Sequence, residues 1–147
     1  MRSLSVKLGV ILIGLFTFGY AEGWGEDWKY FGAGGDGIFW WYDTQGVTYH
    51  PNRMINVWVK KVRADDIIDR VKSGGKLTLS ELEQMTSEKN YERVLMEIDC
   101  VEKTVNFLQK LNYDSKGVLK SGESQLGSKK SIPTDSVAER LYKAVCP

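Results

Sequence analysis

Apolar and polar positions alternate with a period of two in several short runs, the signature of half-buried β-strands. Trp28 to Phe31 (WKYF) is the first run, and the glycine-rich stretch GAGGDG, residues 32–37, follows it. Ile38 to Asp43 (IFWWYD) is the second, with Ile38, Trp40 and Tyr42 on one face. Thr44 to Asn52 reads as a turn with a His50-Pro51-Asn52 corner. Met54 to Val62 (MINVWVKKV) is a third strand, with Ile55, Val57 and Val59 on one face. Tyr91 to Cys100 places Val94, Met96, Ile98 and Cys100 on one side. Glu102 to Tyr113 continues the pattern, Asp114-Ser115-Lys116-Gly117 is a hairpin turn, and Val118 to Glu123 is the returning strand.

Two stretches break this alternation. Arg63 to Glu88 is charged and punctuated by Ser73-Gly74-Gly75. Short helices are expected over Ala64–Lys72 and Ser80–Ser87. Because its apolar residues are few, the stretch is expected to be a long connection or flap that buries little surface. Near the C-terminus, Ser136 and Glu139 fit a helix capping box, and Val137, Ala138, Leu141 and Val145 form one apolar stripe. A helix of about ten residues is marginal in water and needs docking. The expected fold is α+β: an antiparallel five- to six-stranded sheet with the C-terminal helix packed on one face.

The first residues have a different design. Arg2 and Lys7 precede an apolar run from Leu8 to Phe18, and Gly19-Tyr20-Ala21 supplies small residues at −3 and −1 of a cut before Glu22. This is the tripartite pattern of a secretory signal peptide over residues 1–21. The 14 residues from Leu8 to Ala21 are too few for a spanning helix, which needs about 20. No stable membrane span is expected after cleavage, and no cysteine near the cut offers a lipid anchor. The mature product would be a single domain over residues 22–147.

Export changes the reading of the cysteines. Cys100 and Cys146 are the only two in the chain, and in an oxidising compartment such a pair is most simply a disulfide. Charge adds an exclusion. The chain has 20 basic and 19 acidic residues, and loss of Arg2 and Lys7 leaves a net charge near −1. That balance gives no general electrostatic reason to bind nucleic acid or an anionic membrane.

The order of WWYD, MINVWVKKV, Tyr91 leading into EIDC, the YDSKG hairpin and the terminal IPTDSVAERLYKAVC resembles the surface-adhesin protein E family of bacterial secreted proteins. The resemblance spans about Trp28 to Cys146. It implies a curved antiparallel sheet whose concave side carries a C-terminal helix, tied there by a Cys100–Cys146 disulfide. It also implies adhesion to extracellular proteins. The chain departs from the family where Gly127-Ser128-Lys129-Lys130 replaces an aromatic that often precedes the Ile-Pro segment, and in lacking the lipobox cysteine of the namesake. The second departure makes periplasmic retention an alternative to the cell surface.

Catalytic constellations are missing from the pattern. A phosphate-binding glycine loop leads into a helix, whereas GAGGDG leads into the IFWWYD strand. Asp36 has no evident ligand set, and His50 is the only histidine. Asp65, Asp66 and Asp69 fit a solvated helix face, and the serines lack a nucleophile elbow. The expectation is a non-enzyme with no cofactor and no metal.

Aromatic residues crowd the first third of the mature chain. Alternation puts Trp40 and Trp41 on opposite faces and sets Trp58 against the side of Ile55, Val57 and Val59. Either helix and sheet cover both faces, or an aromatic patch is left for a protein partner or a homodimer. Trp41, Trp58, Lys60 and Lys61 are the candidate binding residues. The function expected is an adhesin-like binding domain that recognises a protein or other macromolecule through a sheet face or edge. The alternatives are a periplasmic structural or assembly factor of the envelope, or a small-ligand carrier.

Overall fold

A computed structural model of the chain describes residues 27–34, 36–124 and 126–147. The predicted signal peptide, its cut and Trp24 lie outside the described residues. The strands are β1 (Trp28–Ala33), β2 (Ile38–Asp43), β3 (Thr48–His50), β4 (Met54–Arg63), β5 (Tyr91–Asp99), β6 (Thr104–Tyr113), β7 (Leu119–Ser124) and β8 (Lys130–Ser131). The helices are α1 (Asp65–Lys72), α2 (Leu79–Thr86) and α3 (Val137–Val145). The sheet runs β1-β2-β4-β5-β6-β7, with β3 also paired to β4 and β8 also paired to β6.

All these pairings are antiparallel, and the fold is α+β with eight strands among the described residues rather than five or six. The additional strands are β3 and β8, three and two residues long, which extend the edges left by β2 and β7. The long central strands are β4, β5 and β6. They bring Val57 opposite Met96 and Met96 opposite Phe107. β-branched residues at every second position of β4 suit this half-buried, pleated surface.

Strand alternation divides the apolar residues between two cores. On one face, Ile55, Val57, Val59, Val94, Met96, Ile98 and Val105 pack with Leu141 and Val145 of α3. The Cys100–Cys146 disulfide, with Cα atoms 5.7 Å apart, closes this layer at the end of the helix. The Tyr142 hydroxyl donates to the Cys100 carbonyl oxygen at 2.8 Å, and Arg53 donates to the Pro147 carbonyl oxygen at 3.1 Å.

The opposite face holds a second core, which corrects two expectations. Phe39 and Trp41 of β2 and Val62 of β4 pack with Ala64, Ile67 of α1 and Leu82 of α2. The charged stretch is thus a helical layer of its own, and helices lie on both faces of the sheet. Its apolar residues are few, but Phe39, Trp41 and Val62 supply the other half of the core. Thr78 and Glu81 form a reciprocal capping box that starts α2. Gly37, at φ +83°, turns the chain where a side chain would collide with the Asp65 carboxylate.

The start of α3 also differs from the simple capping box. Ser136 Oγ accepts from the Glu139 backbone N–H at 3.1 Å, as the motif predicts. The Glu139 carboxylate, however, accepts from the Asp135 N–H at 2.9 Å and pairs with Lys103 on the far side of the sheet turn. Glu139 is only 6% exposed. Lys103, and secondarily the Asp135 N–H, hold the Glu139 carboxyl below the ordinary carboxylate range, while Glu139 raises the Lys103 ammonium. A carboxyl depressed in the folded state stabilises above its unfolded value, near 4.5, and that contribution is lost as pH falls through the folded value. The raised Lys103 contributes below its unfolded value of 10.5 and loses that contribution as pH rises through the folded one. Thermal unfolding midpoints should therefore drop on acidification below about 4.5, and Glu139→Gln should flatten that limb of the profile.

Candidate functional site

The face that carries the second core is only partly occupied by α1 and α2. Beyond Phe39 and Val62, cross-strand neighbours from β4, β5 and β6 form successive rows. Trp58 faces Leu95, Lys60 faces Arg93, Arg93 faces Leu111, and Tyr91 faces Tyr113. Trp58 and Leu95 belong to neither packed core.

Cations and rings alternate across these rows. The Lys60 ammonium lies 4.8 Å from the centre of the Tyr91 ring and 5.9 Å from those of Trp28 and Trp41. The Arg93 guanidinium lies 5.1 Å from Trp58, 5.5 Å from Trp28 and 5.9 Å from Tyr113. Tyr91 and Tyr113 stack at 5.0 Å with their planes 9° apart. Such contacts fall within the range where the ring quadrupole attracts a cation. Each long cationic side chain is held against several rings, which reduces the rotamer freedom it has left to lose on binding.

One row further along this face, Asn56 lies opposite Glu97, and Glu97 opposite Asn106. The side-chain oxygens of Asn56 and Asn106 are buried and have no hydrogen-bond partner among the described residues.

The four sequence-predicted binding residues do not form one surface. Trp58 and Lys60 lie in the alternating cluster. Trp41 lies on the same face directly opposite Lys60, but it is only 4% exposed, packed in the second core with the Tyr30 ring 5.4 Å away. Burial raises the Tyr30 phenol above its ordinary 10.0, opposed by nearby Arg140. Lys61 projects from the other face, 4.9 Å over the Trp40 ring and 3.5 Å from the Glu92 carboxylate. Arg93, Tyr91, Tyr113 and Trp28 complete the cluster but were not singled out by sequence reasoning. The signal for Arg93 was its parity, one residue out of step with the buried Val94-Met96-Ile98 series.

The other chemical candidates have local structural partners. Asp36 Oδ1 accepts from the Ile38 N–H at 3.2 Å and closes the glycine-rich turn. Asp66 pairs with Lys89 at 3.2 Å, and this contact holds its carboxyl below the usual range. His50 lies in the exposed edge strand β3. Among the described residues there is no group of three or more His, Cys, Asp or Glu side chains arranged to hold a metal ion. None of the helices described is long and apolar enough to cross a membrane. No family model, curated protein or solved structure matches the chain.

Proposed function

We propose that the chain is an exported, non-enzymatic binding domain, adhesin-like in the sense of the surface-adhesin protein E resemblance. It recognises a protein or other macromolecule through the sheet face built by Trp58, Lys60 and Arg93. The observation that carries this reading is the alternation of Lys60 and Arg93 with Trp28, Trp58, Tyr91 and Tyr113 across the sheet. Trp, Tyr and Arg are the residue types enriched at binding hot spots, and here they are pre-ordered by one another. The buried Asn56 and Asn106 oxygens beside them fit a partner that brings hydrogen-bond donors.

The test is a crosslinked pull-down of tagged mature protein from the native cell envelope. Trp58→Ala and Arg93→Ala should each weaken partner capture by about thirtyfold, the loss expected of a hot spot worth about 2 kcal/mol. Lys61→Ala, on the opposite face, should leave capture intact. Equal capture by all three variants sinks the reading. Protease treatment of intact cells assigns the compartment: cleavage indicates surface adhesion, whereas protection until the outer membrane is opened indicates a periplasmic assembly role.

A further inference from the structure

A separate groove of about 620 Å³ lies between the helical layer and the β1–β2 edge of the sheet. Its floor is Tyr30, Ala33 and Phe39, one wall is Ile68 and Val71 of α1, and the other is Leu77, Leu79 and Leu82. The volume is within the range of roughly 300–1,000 Å³ typical of small-molecule sites. Among the described residues Lys76 is the single charged one in the lining. Val71 and Leu79 are 42% and 52% exposed, so apolar surface continues to the groove's lips.

The composition specifies an occupant. Apolar walls favour a hydrocarbon chain, which loses its water shell on entry. A lone ammonium favours one negative charge at the end of that chain. Gly74 and Gly75 bring the α1–α2 connection round to place Lys76 there; a Cβ at Gly75 would meet the Arg70 carbonyl oxygen at 2.7 Å. Among the described residues no carboxylate pairs with Lys76. We infer that this groove binds a single-chain anionic amphiphile, a long-chain carboxylate, with its tail along Phe39, Ile68 and Leu82 and its head at Lys76. The inference uses none of the residues of the Trp58–Arg93 face and stands or falls apart from it.

The probe is a fluorescent fatty acid, displaced from the mature protein by laurate, myristate or palmitate below their aggregation limits. Affinity should rise about fourfold per added methylene, the gain expected for each CH₂ buried, until the groove is filled. Lys76→Glu should weaken palmitate binding tenfold or more while leaving hexadecanol unaffected, because only the carboxylate meets that charge. Ala33→Phe, which fills the floor, should weaken both. Unchanged circular dichroism in Lys76→Glu separates lost binding from lost folding. Absence of saturable binding, an affinity independent of chain length, or palmitate binding indifferent to Lys76→Glu overturns the proposal.

Discussion

Replacing Cys100 and Cys146 together with alanine is expected to lower the unfolding free energy by roughly 4 kcal/mol, the loop-closure value for a separation of 46 residues. Domains of this size have about 5–15 kcal/mol in total, so the loss is a large fraction of the whole. Its structural consequence concentrates in α3. That helix has nine residues and would be marginal alone. Leu141 and Val145 dock it, Ser136 caps it and Lys103 holds Glu139, but the covalent link is what keeps these contacts at high effective concentration. Urea unfolding of the double variant should show the lower free energy together with a steeper denaturant dependence, since the uncrosslinked unfolded chain exposes more surface. Amide exchange in α3 should accelerate more than in β4 and β5. A loss under about 1 kcal/mol would mean that the unfolded chain is already restrained near these residues.

How much of this was legible in the sequence depended on whether the signal was local. The bounds of the IFWWYD strand and the start of MINVWVKKV follow from alternation within a few residues. The partnership of Cys100 with Cys146 follows from there being two cysteines and an expected oxidising compartment. The short strands β3 and β8 were not legible, because two or three residues pair only where a longer neighbour leaves a free edge. The second core was hidden for a related reason. Ile67 and Leu82 are among the few apolar positions in a charged stretch, and they become a core only when Phe39 and Trp41, more than 20 residues earlier in the chain, lie beneath them. The candidate face shows the same division. Adjacent Lys60 and Lys61 must point to opposite faces of any strand. That Lys60 meets Arg93 required the β4–β5 register, which no local pattern encodes.

Trp41→Ala is expected to cost about 3–5 kcal/mol, the range for removing a large aromatic from a packed interior. Trp41 is 4% exposed, packs with Phe39, Val62 and Ile67, and carries the Tyr30 ring on one side and Lys60 5.9 Å from its centre on another. Its removal would leave a void under α1 and α2 and withdraw one ring from Lys60. Trp41→Phe keeps an aromatic in place and should cost less. Trp58→Ala, at a half-buried position outside both cores, should cost less still. Equilibrium urea unfolding of the three variants checks this order. The order also decides how binding data are read. Lost partner capture by Trp41→Ala reports a loosened fold, whereas the same loss by a stably folded Trp58→Ala reports the face itself. Should Trp41→Ala unfold like the wild type, the second core would add little to stability, and α1 with α2 would be a layer able to open without the sheet.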